Sequence, residues 1–449
     1  HADTPAVEHL DALGNVVARV DHNRFLDRAT GLPVDQFLVT RSRTDIEGNL
    51  VEVFDPRGIR IVHHAYDMVG TRAVSTTADA GRRWRLSDAL GKMAIAGDAK
   101  DNRIRIVYDA MQRPSEFRVR PAGLGEFLRE RHRYGTAALV AVNANGRLIQ
   151  VFDGAGTVAT PRYDFKGNVL ETRRRFLEDP RQVPDWAAAP ALAAGTHTTL
   201  TSYDALNRLV QLTAPDGSVE TYGYNETNLV ETVAVAAPGA GATPFVEAVD
   251  YDAKGQRRFI RYGNGVETDY EYDVETDRAA LIRTRRLVDG AVLQQLAYTY
   301  DPVGNVTAIL DGALPTHYFN NTAVDPGGAF GYDAVYRLMT ATGREHAAAN
   351  QSPDWSDGHR MALPHKTNGD ALQRYRQFFE YDPSGNLTLI QHVAGRGAFT
   401  NAWTRTQTYA ATSNALESST VGSAPAETFS YDLHGNIIVL TGDDISGEG

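Results

Sequence analysis

The chain predicts an all-β fold of stacked hairpins, and three observations predict it. Twenty tyrosines stand among many Val, Thr and Ile, residues that suit a pleated, half-buried surface, and 40 glycines punctuate them. Short runs alternate in character, as in Leu148 to Phe152 (LIQVF) and Val219 to Tyr224 (VETYGY), which is the period of a strand with one face half buried. Such runs end at a recurring turn: an aromatic residue, Asp or Asn, two variable residues, then Gly or Asn. Asp bonds its own turn backbone and Gly or Asn accepts positive φ, so the chain leaves the turn as a strand again. One hairpin is marginal in water, so each unit needs a neighbour of its own kind. Half-exposed alternation suits a curved single sheet better than the filled core of a sandwich.

Residues 1–40 read as an irregular opening segment with a first hairpin, in which His9 to Asn15 (HLDALGN) is a strand end and turn. The regular phase follows at Asp45 (DIEGN), Tyr66-Asp67 (DMVGT), Asp88 (DALGK) and Tyr108-Asp109 (DAMQR), with separations of 22, 21 and 21. Such a period holds two strands of about six residues and two connections. Asn143 (NANGR) and Tyr163-Asp164 (DFKGN) are 21 apart, as are Tyr203-Asp204 and Tyr224-Asn225, and Tyr251-Asp252 and Tyr272-Asp273. Tyr300-Asp301, Tyr332-Asp333, Tyr381-Asp382 and Tyr431-Asp432 continue at 28, 32, 49 and 50.

The strip thus runs over 41–440, and its longer gaps are insertions on the rim, because lengthening a loop costs little and interrupting a ladder costs much. Pro184 to Gly195 (PDWAAAPALAAG) reads equally as a short helix or an ordered loop. Gly343 to Gln373 reads as a loop followed by one helical turn. Residues 441–449 (TGDDISGEG) form an acidic end expected to fray.

A net charge of −11 spread along the chain opposes a nucleic-acid or anionic-membrane role, and the short run Arg173, Arg174, Arg175 reads as a solvated strand or turn. There is no cysteine, hence no disulfide or thiolate metal site. No apolar run reaches the roughly 18 residues of a membrane span. His1 opens no signal peptide, and the missing initiator Met suggests an excised piece.

No catalytic, metal or cofactor residue is assigned. His63-His64 lies on a strand, where neighbours point to opposite faces and cannot share one metal. His132, His317, His346 and His365 lack ligand spacing. The recurring Asp residues invite a carboxylate-pair reading, but a residue found at every turn serves the turn. Asp443-Asp444 has no calcium-loop spacing. The repeated Tyr suits a packing ladder between hairpins better than a ligand platform. Ser202, Ser384 and Ser430 lack a nucleophile elbow, and there is no phosphate loop.

YDALNR, YDFKGN, YNETN, YDAKGQ, TYDPVGN, EYDPSGN and YDLHGN resemble the tyrosine-aspartate repeats of the Rhs family. HLDALG, FDGAG with YDFKGN, YFNN with YDAVYRLMTATGREH, and WSDGHR are similar to the repeat region of bacterial insecticidal toxin-complex proteins of the B-component type. The resemblance implies a β-strip that forms part of a hollow shell enclosing a toxic polypeptide, in a secreted bacterial protein. It implies as partners the rest of the shell or a C-type toxin component with its cargo, and a translocation pore component. The family's self-cleavage motif is not recognisable, so no protease residue carries over. A surface adhesin presenting loops near Trp186 and Trp355 to glycans or proteins is the alternative. A polysaccharide-cleaving solenoid would need clustered carboxylates in an aromatic groove.

Overall fold

The structure, a computed structural model, describes residues 3–319, 322–346, 371–395 and 398–440. Thirty-two strands belong to the antiparallel sheet, and His317–Phe319 with Thr322–Val324 forms a separate ribbon. The helix Ala137–Val142 is a short 3-10 segment. Residues before 45, weak in pattern, carry the strands Ala6–Leu10, Val16–Leu26 and Pro33–Thr44, the last two paired over nine residues.

The chain divides into two compact units. The first comprises His1–Trp84, Tyr272–Ile282 and Gln294–Gly449, and the second Arg85–Glu271 and Arg283–Leu293. Within each unit, strands pair with their sequence neighbours as a meander. In the first, Pro33–Thr44, Leu50–Phe54, Arg60–Tyr66 and Arg72–Thr77 follow one another. In the second, Leu209–Thr213, Val219–Tyr224 and Val230–Ala236 do the same.

The short turn chemistry dictates this order. The common loop closes as a tight turn whose fourth residue is left-handed, as at Gly48 (φ 83°), Asn207 (φ 64°) and Asn228 (φ 68°), the form that joins antiparallel neighbours through a bulge. Gln112 (φ 61°) and Tyr336 (φ 70°) hold the same conformation and bear the cost that L side chains meet there, about 1 kcal/mol.

Eleven apolar residues are buried among the described ones, and only Leu128, Leu177 and Trp186 cluster, with Phe152 and Leu192 packed against them. That is too little for a filled core, so ladder hydrogen bonds and the rims carry the fold. The cluster belongs to the insertion at 184–195, which is an ordered loop: Glu178 N–H donates to Ala191 O and Ala193 N–H to Phe176 O. The other insertion begins and ends in strand, at Leu338–His346 and Leu372–Tyr381. Residues 347–370 lie outside the described residues, as do 441–449; of the helical turn expected at 368–372, Ala371 and Leu372 are described, and Leu372 opens a strand, where it pairs with His346, and not a helical turn.

Asn143 departs from the expected turn. It caps the 3-10 helix in the left-handed region (φ 55°, ψ 24°), and its side-chain amide donates to Tyr163 O at 3.1 Å. The strands Phe127–Tyr134 and Leu148–Asp153 still pair, but through a longer connection.

Candidate functional site: aspartate turns, tyrosine ties and a seam

At Asp45 the backbone N–H donates to Asn49 O at 3.0 Å, while Oδ1 accepts the N–H groups of Glu47 and Asn49, each at 2.9 Å. The pairing of N–H to the carbonyl four residues on, with Oδ1 taking the N–H of that residue, recurs at Asp67, Asp88, Asp109, Asp164, Asp204, Asn225, Asp252, Asp301, Asp333, Asp382 and Asp432. Asp273 opens a longer turn, bonding Arg278 O, with Thr276 N–H and Oγ1 on its carboxylate. Asp11, Asp55 and Asp98 make the same turn as Asp45. Asp55 and Asp98 follow Phe54 and Gly97, so a search keyed on Tyr-Asp passes over them.

These bonds favour the ionised carboxylate, although a neutral amide oxygen accepts them at Asn225. The Asn15 side-chain amide holds Asp11 below the ordinary carboxylate range, Asn49 does so for Asp45, and the Arg113 backbone N–H leads for Asp109. A depressed folded pKa gives stability that is present above the unfolded value of 3.8 and is lost as pH falls through the lower folded values. Melting temperature should therefore be insensitive to these groups above about pH 5 and fall steeply below 3.8. Thermal melts that stay level down to pH 3 would refute the turn carboxylates as stabilisers.

The tyrosines tie successive units together. A bulge precedes each of Tyr66, Tyr203, Tyr224, Tyr251, Tyr300, Tyr332, Tyr381 and Tyr431 and re-aims the side chain. Tyr66 Oη donates to Leu50 O at 2.8 Å, Tyr108 to Met93 O at 2.9 Å, and Tyr224 to Leu209 O at 2.7 Å. Tyr163, Tyr251, Tyr300, Tyr332, Tyr381 and Tyr431 bond Leu148, Val230, Ala279, Val306, Leu338 and Leu416 in the same way. At Tyr66, Tyr108 and Tyr224 the acceptor is the first strand residue after the turn one repeat earlier, at Asp45, Asp88 and Asp204, so each repeat is fastened to the next. Tyr134 and Tyr409 make the tie without a following Asp. At Tyr203 the corresponding carbonyl, Val169 O, accepts from Thr201 Oγ1 instead. Tyr272 ends the strand Val266–Tyr272.

Tyr224→Phe should cost about 1 kcal/mol, the net worth of one such bond, while Tyr203→Phe should cost less than about 0.5 kcal/mol. Equal shifts of the denaturation midpoint in the two variants would contradict the tie.

A cation lies over the ring at six of the rungs. Arg113 lies 4.0 Å over the Tyr134 ring, Arg208 4.5 Å over Tyr224, Arg337 5.0 Å over Tyr381, and Lys92 5.3 Å over Tyr108. Arg208 also donates to Asn228 Oδ1 at 2.9 Å, turn to turn.

Within the first unit, turns remote in sequence meet in a seam. Arg57 bonds Asp55 at 2.8 Å, Asp382 at 3.2 Å and Asn414 Oδ1 at 2.6 Å, and Ser384 Oγ donates to Asp55 Oδ2 at 2.7 Å. Asn414 N–H donates to Asp79 Oδ1 at 2.7 Å. This brings two turn carboxylates, Asp55 and Asp382, onto one guanidinium. Burial would raise the Asp55 pKa, but Ser384 and Arg57 outweigh it and keep the group low, the opposite of a carboxyl poised as a general acid.

The remaining candidates stay apart. His63 and His64 are successive residues of Arg60–Tyr66, and burial, then Arg72, lowers the pKa of His64. His132 pairs with Glu130 at 2.5 Å, His317 lies on the small ribbon and His346 is buried at a strand end. No cluster of three metal-ligating side chains occurs among the described residues. Ser384 serves the seam, while Ser202 and Ser430 end strands beside Tyr203 and Tyr431. Arg173 pairs with Glu171 at 2.6 Å, Arg174 with Asp153 at 2.6 Å, and Arg175 donates to Ala193 O at 3.1 Å. Trp186 is 5% exposed, so its loop offers no indole platform to a glycan. Trp355, His365 and Asp443-Asp444 lie outside the described residues. No helix among those residues is long and apolar enough to cross a membrane.

The fold and its rungs define a YD-repeat β-strip. The RHS repeat family model matches residues 192–241. Toxin subunit YenC2 of Yersinia entomophaga is 28% identical over 94% of this chain, and YenC1 is 26% identical over 92%. The chain spans about half the length of these curated relatives, 46% and 44%. Among solved structures, TcdB2-TccC3-TEV superposes with a TM-score of 0.83 at 28% identity, covering 97% of this chain and 21% of the other. A Tc holotoxin pore of Photorhabdus luminescens gives 0.84 at 26% identity, covering 98% and 21%. The chain therefore resembles the Rhs, or YD-repeat, family, and in particular the repeat region of insecticidal toxin-complex proteins.

Proposed function

We propose that this chain is a non-catalytic wall segment of an Rhs-type toxin-complex shell, which encloses and protects a toxic polypeptide before delivery. The observation that carries the reading is the use made of the recurring polar residues: turn aspartates and tyrosine hydroxyls are committed to backbone groups of the strip itself. A residue spent on its own scaffold has little left for a substrate. The likeness to toxin-complex structures over 97% of the chain supports the same reading.

The partners are then the rest of the shell, its polypeptide cargo and a translocation pore component, and the site of action is extracellular. The two curated relatives, both with YenC names, favour the C-type part of such a shell, whereas several sequence motifs are similar to the B-type part. The test is electron cryomicroscopy of the chain within its full-length assembly. An interior void of several nanometres is expected, with a co-produced polypeptide protected from added protease. A solid cross-section rejects the proposal.

A further inference from the structure

Most arginines on the strands of the second unit already hold a carboxylate. Glu116 receives Arg118 at 2.6 Å and Arg131 at 3.5 Å, and Glu171 receives Arg173 at 2.6 Å and Arg162 at 3.0 Å. Arg129, Arg133 and Arg175 differ, since none of the three has an ion pair among the described residues. Arg129 lies in the bulge where Phe117 faces Glu130 and Arg118 faces Leu128. Its guanidinium lies against Gly154, where a Cβ would stand 2.4 Å from Nη2, and its buried Nη1 has no hydrogen-bond partner. Arg133 lies 4.8 Å over the Phe152 ring, with a 3.4 Å contact to Gln150 Oε1. Arg175 reaches the Ala193 carbonyl, and its buried Nε is unpartnered.

The three border one cluster: Arg129 follows Leu128, Arg133 lies over Phe152, and Arg175 stands two residues before Leu177. Arg131, Phe152, Thr157 and Arg175 oppose one another directly across four strands, and Phe152 touches Trp186 at 5.0 Å. Three guanidinium groups without counter-ions thus flank one small apolar cluster, in a chain whose net charge is −11. Leaving forked donors unmatched costs desolvation that a ligand carboxylate would return.

We propose that Arg129, Arg133 and Arg175 form a receptor for the carboxylates of an acidic peptide segment, belonging to the polypeptide that the wall faces. The inference rests on the wall reading above and names what one part of that wall holds. Carboxylates are the ligand class because the flanking arginines of the same strands already bind Glu116 and Glu171 in this manner. A long nucleic acid, by contrast, would meet the repulsion of the net negative chain.

The test is fluorescence anisotropy of a labelled hexaglutamate peptide titrated with the whole chain. Saturable binding is expected, weakened about tenfold or more in the triple variant R129Q/R133Q/R175Q, as befits the loss of three charge-assisted contacts. R258Q, which removes an exposed arginine paired with Asp250, should leave binding unchanged, and melting curves establish that each variant is folded. Absence of saturable binding, equal binding of hexalysine, or an unaffected triple variant overturns the inference. So does displacement by a short oligonucleotide or inorganic phosphate at equal charge concentration, which marks an unselective anion surface. Protease protection of a co-produced polypeptide in the full assembly separates the two readings. Protection with peptide binding unchanged in the triple variant overturns this inference alone, and cargo unprotected in wild type and variant alike overturns the wall reading beneath it.

Discussion

Trp186→Ala is expected to destabilise the second unit by about 3–5 kcal/mol, the range for truncating a large buried aromatic. Trp186 is 5% exposed and lies with Leu128 and Leu177 in a small cluster against which only Phe152 and Leu192 pack among the described residues. Its ring meets Phe152 at 5.0 Å and its Nε1–H donates to Asp153 O at 3.0 Å. Its backbone N–H donates to Leu128 O at 2.9 Å, while Asp185 Oδ1 accepts the Leu128 N–H at 3.1 Å. The insertion is therefore buttoned to its strand on both sides of one residue, and removing the indole opens a cavity that a single sheet cannot refill by shifting a neighbour. Trp186→Phe, which keeps a ring and loses the N–H, should cost about 1–2 kcal/mol. Chemical denaturation gives both values, and protease cleavage within residues 178–196 should accelerate only in the alanine variant. A midpoint within about 0.5 kcal/mol of wild type for Trp186→Ala would mean that the loop is decoration.

That loop marks where the sequence stops being informative. Alternation and the Asp-centred turn were legible because both are local: Val219 to Tyr224 and the turn at Asn225 need only each other. The 3-10 helix Ala137–Val142 was not, since AALVAV is too short to show a helical period. PDWAAAPALAAG left helix and loop open because the partners that decide between them lie outside it, Leu177 just upstream and Leu128 far off in the chain. The ties of Tyr134 and Tyr409 escaped because they precede Gly135 and Ala410 rather than Asp. The seam of Arg57 with Asp382 and Asn414 spans separations of 325 and 357 residues, beyond any periodicity argument. Arg173 to Arg175 looked like one cluster, yet strand geometry sends neighbours to opposite faces. Arg174 meets Asp153 while Arg173 meets Glu171.

The turn at Asp333 yields the sharpest test, because the chain contains its own rescue. The Asp333 side chain is fully buried, at 0% exposure, and Arg337 is 15% exposed, with Nε and Oδ2 2.7 Å apart. Asp333 Oδ1 also accepts the N–H groups of Val335 and Arg337 at 3.1 and 2.8 Å. Beside it the fully buried Asn23 accepts the Ala334 N–H at 3.1 Å, so there is no room for the turn to open towards water. Asp333→Asn keeps the backbone caps but leaves Arg337 without its counter-ion, and should cost about 2–4 kcal/mol, moderated because Arg337 still reaches Asp382 O. Arg337→Leu should be worse, since it strands the buried carboxylate itself. At Asn225 the same turn occurs with an amide first and Leu229 fourth after it, and Oδ1 accepts Thr227 and Leu229 N–H at 3.0 Å each. The double variant D333N/R337L copies that pairing and should recover at least half of the loss of the worse single change, a coupling of roughly 1–3 kcal/mol. Denaturation midpoints for the three variants settle it. If the two losses simply add, the turn tolerates an isolated charge and the ion pair contributes nothing specific to holding the strip together.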